Sequence, residues 1–306
     1  MKRMRYALAF LLAFLFNPGA SPQDAPLFRS GVALVRVDAQ VTGRNGRTIE
    51  DLTADDFAVF DEEKQQKIAH FGRESEPLDL LLLLDVSGSM SRSLQLLAAA
   101  ARGALKQLYE SDRVSVMLFA RRAEVREDFT SDFSGVADWL RDAVQDRSLG
   151  AGTAINQAIV TAAAHIGKQP VRGRRAILIV TDNQSLNYQV TDEDAVKALY
   201  RADAVLNAIV IGAFAHPAPP IRPRGANPDF TPADVLKLAQ QTGGEALAGG
   251  KIGETFLQMV ERIRARYNIQ YAAPAPDAEG FRRIRVELTT RKGATVRARA
   301  GYYATH

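Results

Sequence analysis

The chain has 306 residues, 46% of them hydrophobic and 24% charged. These are the proportions of a soluble globular protein, and they exclude a disordered, collagen-like or multi-span membrane chain. Its 39 basic and 35 acidic residues leave a formal charge of +4, of which Lys2, Arg3 and Arg5 supply three. The remainder is close to neutral, so the overall charge gives no argument for nucleic acid, and no nucleic-acid partner is expected.

The first element in chain order is a leader. Met1–Arg5 is basic, Tyr6–Phe16 is an unbroken apolar run of eleven residues, and Asn17-Pro18-Gly19-Ala20 supplies a breaker and small residues. This is the layout of a secretory signal peptide over residues 1–20. The run is too short for a bilayer span, which takes about 20 residues. The expected product is an exported protein, periplasmic or extracellular, with no transmembrane span in the mature chain. Cysteine is absent, so the core must hold the fold without disulfides even in an oxidising compartment.

Residues 27–75 read as strands. Val35, Val37, Ala39 and Val41 alternate with Arg36, Asp38 and Gln40, which gives one strand face an apolar surface. Asn45-Gly46 signals a turn. Thr53 and Asp56 stand at capping-box spacing. Phe57–Phe60 and Gln66–Phe71, separated by the charged Asp61–Lys64, predict a hairpin.

Residues 76–267 alternate strand and helix. Leu78–Asp85 contains five successive leucines, the pattern of a parallel strand buried on both faces. A helix is predicted over Ser91–Tyr109, strands over Arg113–Ala120 and Ala123–Phe129, and helices over Phe133–Asp146 and Thr153–Lys168. Ala176–Asp182 and Val205–Gly212 are further buried strands, with a helix over Thr191–Arg201 between them. Thr231-Pro232 reads as an N-cap followed by proline at the first helical position. Phe256, Val260, Ile263 and Tyr267 mark a last helix. The alternation predicts an α/β fold with a doubly wound, mostly parallel sheet. Pro217–Asp229 is a proline-rich loop without apolar period.

Residues 268–304 return to strands, over Asn268–Ala272, Arg282–Thr290 and Thr295–Tyr303. Each flank is too short for an independent core. The two together are expected to build one small β-sandwich-like domain, with the α/β domain inserted between them.

The chemistry concentrates at Asp85-Val86-Ser87-Gly88-Ser89, directly after the first buried strand. Thr153, before a helix, and Asp182, at the end of a strand, are predicted at the same carboxyl edge, where doubly wound sheets bind ligands. Two carboxylates and three hydroxyls form an all-oxygen set suited to a hard cation: Mg²⁺, with Mn²⁺ or Ca²⁺ as alternatives. Each residue alone also fits turn and cap chemistry.

Asp85-x-Ser87-x-Ser89 with Thr153 and Asp182 resembles the metal-ion-dependent adhesion site of von Willebrand factor type A domains. Asp112–Phe119 and Ala176–Asp182 resemble that fold's neighbouring strands. Val37–Val41, Asp51–Phe57, Tyr267–Tyr271, Phe281–Val286 and Val296–Tyr303 resemble an exported bacterial group called VWFA-related, acidobacterial-type. Asn183 and Glu63 stand where such relatives have glycine. The resemblance implies a Mg²⁺-dependent, non-enzymatic protein-binding module. A protein partner's Asp or Glu carboxylate would complete the metal's coordination, within a surface formed by loops near 91–93, 150–152, 183–188 and 217–229.

Two alternatives stay open: a structural envelope protein with a purely stabilising metal, and a metal-assisted hydrolase. Against hydrolysis by Ser87, no motif pairs it with His70, His165, His216 or His306, and Asp85-x-Ser87 is not a Gly-x-Ser-x-Gly elbow. Gly88, Gly150 and Gly152 lack the Gly-Lys-[Ser/Thr] of a phosphate loop. Arg282, Arg283, Arg285, Arg291, Lys292, Arg297 and Arg299 could face an anionic surface, but alternating basic positions on a strand more often protect its edge. Trp139, Tyr302 and Tyr303 are expected in the core or at a domain contact.

Overall fold

The computed structural model describes residues 33–73, 76–143, 146, 148–185, 190–212, 233–274, 280–291 and 293–304. These belong to one compact unit, Ala33–His306. The expected signal peptide and the loop Pro217–Asp229 lie outside the described residues.

The strands are β1 (Leu34–Thr42), β2 (Phe57–Asp61), β3 (Lys64–Gln66), β4 (Ile68–Gly72), β5 (Leu78–Asp85), β6 (Arg113–Phe119), β7 (Ala123–Thr130), β8 (Arg174–Thr181), β9 (Ala204–Val210), β10 (Ala246–Ala248), β11 (Tyr267–Ala272), β12 (Gly280–Leu288), β13 (Thr295–Arg297) and β14 (Gly301–Ala304). The helices are α1 (Ser91–Leu105), α2 (Phe133–Ala143), α3 (Ile155–Gly167), α4 (Asp192–Arg201), α5 (Val235–Gln241) and α6 (Ile252–Arg264).

The five leucines lie on β5, near the middle of a six-stranded sheet of order β10-β9-β8-β5-β6-β7. All of its pairings are parallel except β6 with β7. Leu80, Leu82 and Leu84 pack with α1, α2 and α6, whereas Leu81 and Leu83 pack with α3 and α4 on the other face. Successive side chains of a strand point to opposite faces, so an unbroken apolar run serves two cores. At the amino end of β8, Arg174 and Arg175 divide in the same way. Arg174 donates to the carbonyls of Ile263 and Arg264 ending α6, and Arg175 to Ala202 after α4. Each satisfies carbonyls that a helix leaves open at its C-terminus.

The flanking strands form two antiparallel four-stranded sheets, β13-β1-β11-β4 and β14-β12-β2-β3. Both contain strands from before and after the α/β layers. Their inner residues, among them Val37, Val59, Ile269, Tyr271 and Ile284, share one core. Asp61 is fully buried within it and accepts from Tyr271 Oη (2.8 Å), Tyr302 Oη (3.0 Å) and Arg282 Nε (3.0 Å).

Several sequence expectations are corrected. The second arm of the predicted hairpin breaks at Lys67: β3 pairs with β2, but β4 pairs with β11 in the other sheet. The strand predicted over Thr295–Tyr303 likewise splits into β13 and β14, which join different sheets. Between them Ala300 donates its N–H to Gln241, a third element that draws the chain out of both ladders. Tyr267 belongs to β11, not to the last helix, which ends at Arg264. The expected cap Thr231-Pro232 lies outside the described residues, and α5 instead begins after Asp234, whose carboxylate accepts from Lys237 N (3.1 Å). The short strand β10 was not expected.

The basic strands near the C-terminus pair internally: Arg282 with Asp61, Arg285 with Glu63 and Glu287, Arg291 with Asp51, and Arg299 with Asp203. Tyr303 packs on Phe281 and Tyr200, and Trp139, on α2, is half-buried against the core between the sheet and α1 and α6.

Candidate metal centre

β5 is followed by α1 and then by β6 on one side, whereas α3 leads to β8 on the other side of β5. The connections leaving β5 and β8 therefore run apart, opening a crevice at their carboxyl ends. Asp85 is the last residue of β5, and Asp182 follows the last residue of β8.

The register Leu84 opposite Val180 sets Asp85 beside Thr181. Thr181 Oγ1 donates to Asp85 Oδ2 at 2.7 Å, and Ser87 N donates to Asp85 Oδ1 at 3.0 Å. Ser87 Oγ and Ser89 Oγ stand 3.2 Å apart. Beyond β8, Gln184 donates to both oxygens of Asp182, from its backbone to Oδ1 (3.1 Å) and from Nε2 to Oδ2 (3.2 Å).

Thr153 lies in the loop before α3 and not in the helix itself, which begins at Ile155. Gly150 and Gly152 give this loop two left-handed residues, at φ +86° and +106°. Ser185 ties it to the loop after β8, donating to Thr153 O (3.3 Å) and accepting from Ile155 N (3.4 Å). The three segments that carry the five expected residues are thus joined by hydrogen bonds. Thr181 and Ser185, which make two of these joints, were not singled out from the sequence. The only signal for Thr181 is a hydroxyl closing the apolar run Ala176–Val180.

Asn183 and Glu63 both take left-handed backbone, at φ +60° and +65°. Asn183 tolerates this conformation, and its N–H donates to Thr181 Oγ1 (3.2 Å).

Asp85 is fully buried. Burial pushes its carboxyl up to about 6; hydrogen bonds from Ser87 and Thr181 oppose the rise, and the charge of Asp182 adds to it. Among the described residues neither Asp85 nor Asp182 has a basic partner. A buried carboxylate beside a second one, with no counter-charge, is an electrostatic deficit that a divalent cation offsets. Among the described residues no group of three or more His, Cys, Asp and Glu gathers. Further ligands at this edge would have to be hydroxyls, water or a group from outside. Asp85, Ser87, Ser89, Thr153 and Asp182 fit a hard cation in this sense.

His165 Nε2 faces Asp128 Oδ1 (3.3 Å) and Ser115 Oγ (3.5 Å) through one nitrogen. Ser115 itself donates to Glu127 O (2.8 Å). A serine relay needs the carboxylate and the hydroxyl on different ring nitrogens, so these three do not form one. His70 lies on β4, and His216 and His306 lie outside the described residues.

Residues 80–184 match the family model for the von Willebrand factor type A domain. A Synechocystis sp. protein, sll0103, itself described as uncharacterized, is 31% identical over 110 residues; the match covers 36% of this chain and 26% of that protein's length. Among solved structures, an aerotolerance-related membrane protein from Bacteroides fragilis is similar with a TM-score of 0.47 and 21% identity, over 61% of this chain and 98% of that one. BatB from Bacteroides thetaiotaomicron gives 0.46 and 21%, over 61% and 97%. A von Willebrand factor type A protein from Catenulispora acidiphila gives 0.47 and 14%, over 88% and 73%.

Proposed function

We propose that this chain, whose residues 80–184 match the von Willebrand factor type A domain, a kind of module that generally mediates protein interaction, is an exported, metal-dependent protein-binding protein. Asp85, Ser87, Ser89, Thr153 and Asp182 would hold Mg²⁺, and a partner protein would contribute an Asp or Glu carboxylate. The observation that carries this reading is the buried Asp85 carboxylate beside Asp182 at the switch point, without a basic partner among the described residues. The bound cation would supply an electrophilic position that a carboxylate can fill.

The protein's own residues do the rest. Thr181 and the Ser87 backbone orient Asp85, Gln184 orients Asp182, and Ser185 holds the Thr153 loop against the loop after β8. Residues 76–266 would be the binding module and the flanks 27–75 and 267–304 its β-sandwich support, Tyr267 lying on β11. Among the described residues no helix is long and apolar enough to cross a membrane; export rests on the leader-like residues 1–20.

The test is calorimetric titration of Mg²⁺ into the protein beside Asp182→Ala, followed by capture of partners with and without chelator. One-site Mg²⁺ binding lost in the variant, and capture lost in chelator, support the reading. Capture that ignores chelator overturns it.

A further inference from the structure

Arginines in this chain are commonly paired with acids: Arg73 with Glu50, Arg113 with Asp79, Arg262 with Glu245, Arg282 with Asp61 and Arg299 with Asp203. Not every arginine is so paired, and three of the exceptions lie together at the carboxyl edge of the parallel sheet. Arg92, Arg121 and Arg122 are exposed there, and among the described residues none has an acidic partner; the Arg122 side chain donates to the Ser148 carbonyl (3.0 Å).

The backbone places all three around the candidate metal site. Arg92 is in the first turn of α1, directly after the Asp85–Ser89 loop. Arg121 and Arg122 form the tip of the β6–β7 hairpin, which is stitched to the site's loops. Val86 N donates to Phe119 O (2.8 Å), Ala154 N to Ala120 O (2.8 Å) and Arg122 N to Leu149 O (3.3 Å). Arg121 passes over Gly150, where an added Cβ would stand 3.5 Å from the arginine's own. Arg92 is also unfavourable for folding. A cation at the positive end of a helix dipole destabilises it, and no acid in the first turn of α1 offsets it.

We infer that these arginines form a cationic rim that selects an acidic segment of the partner protein. One carboxylate of the segment goes to the metal and a second, within a few residues, goes to Arg121, while Arg92 and Arg122 widen the attracting field. The inference rests on the metal-dependent capture proposed above and deepens it. A divalent cation and its two ligand carboxylates cancel in charge, so the metal alone gives no net attraction for a second acid. The arginines supply it. Exposed charge pairs of this kind strengthen binding about two- to fivefold each, and they act chiefly on association rate and salt dependence.

The experiment uses the full chain with Mg²⁺ and two fluorescein-labelled Gly/Ser peptides, one with a single Asp and one with two Asp separated by one residue. Fluorescence polarisation is read over a salt series, and Mg²⁺ affinity is measured by calorimetry on every variant. The two-Asp peptide is expected to bind about fivefold more tightly at low salt, with the advantage shrinking as salt rises. Arg121→Ala should remove the advantage while leaving Mg²⁺ affinity and one-Asp binding in place. Arg201→Ala, at the far end of α4, should change nothing. Equal affinity of the wild type for both peptides overturns the rim and leaves metal-dependent capture standing. So does an Arg121→Ala that weakens both peptides alike, or an Arg201→Ala that matches it. If neither peptide binds in a chelator-sensitive way, both readings fall together.

Discussion

Thr181 donates its hydroxyl to the Asp85 carboxylate across two adjacent parallel strands, 96 residues apart in sequence, at 2.7 Å. It also accepts the Asn183 N–H, so one hydroxyl both orients the buried acid and shapes the loop that carries Asp182. Thr181→Val keeps the shape and removes both bonds. It is expected to cost about 1–3 kcal/mol in urea unfolding, the range for leaving a buried polar group unsatisfied, and to weaken Mg²⁺ binding. Thr181→Ser should retain most of both. Equal unfolding midpoints for wild type and Thr181→Val would show that the bond contributes nothing.

Asp85 predicts a pH dependence of the metal-free protein. Its carboxyl is raised from 3.8 to about 6 in the folded state, so between these values the folded chain holds a proton that the unfolded chain has released. Stability therefore falls as pH rises through this window, and the full cost, at most about 3 kcal/mol, is present above it. In chelator, the stability difference between wild type and Asp85→Asn should grow in the variant's favour from pH 4 to pH 6 and then level off. Mg²⁺ should stabilise the wild type and not the variant. A difference that stays flat from pH 4 to pH 7 contradicts the buried, uncompensated carboxylate.

The knot at Asp61 is expected to hold the β-sandwich together. Asp61→Ala strands Arg282 and leaves two tyrosine hydroxyls without an acceptor. A loss of about 3–5 kcal/mol is expected, the range for breaking one side of a buried ion pair. Tyr302→Phe removes only one of the three donors and should cost about 1 kcal/mol. Chemical denaturation monitored by near-UV circular dichroism measures both.

Glu62 and Glu63 sit at φ +46° and +65° in the turn between β2 and β3. Two-residue hairpin turns with both central residues left-handed favour glycine. Glu63→Gly gives up an exposed pair with Arg285 but relieves left-handed strain. A net gain of about 0.5–1 kcal/mol is expected, with Mg²⁺ affinity unchanged. A destabilised variant would mean that the Arg285 pair outweighs the backbone.

The parts of the fold legible in the sequence were those with a local cause. Leu80–Leu84 announced a strand buried on two faces, because both faces of a parallel sheet are covered. The Asp85–Ser89 run was legible because a polar cluster directly after such a strand falls at the sheet's carboxyl edge. The splits at Lys67 and at 298–300 were not legible. Period-two alternation marks a strand without naming its neighbour, and β3, β4, β13 and β14 end where the neighbour changes. Tyr267 kept helical phase with Ile263 and Val260 yet lies in a strand, because pairing with Ala39 on β1 overrode the local period.

The sequence by itself thus determined the order of elements, the doubly wound layering and the residue types available at one edge, since burial periodicity and turn chemistry act over a few residues. The tertiary structure alone decided which sheet each flanking strand joins, that Thr181 and Ser185 tie the site's segments together, and that Arg282 meets Asp61 while Arg121 meets no described acid. These depend on register and on contacts between residues far apart in the chain, which only the folded backbone brings within hydrogen-bonding distance.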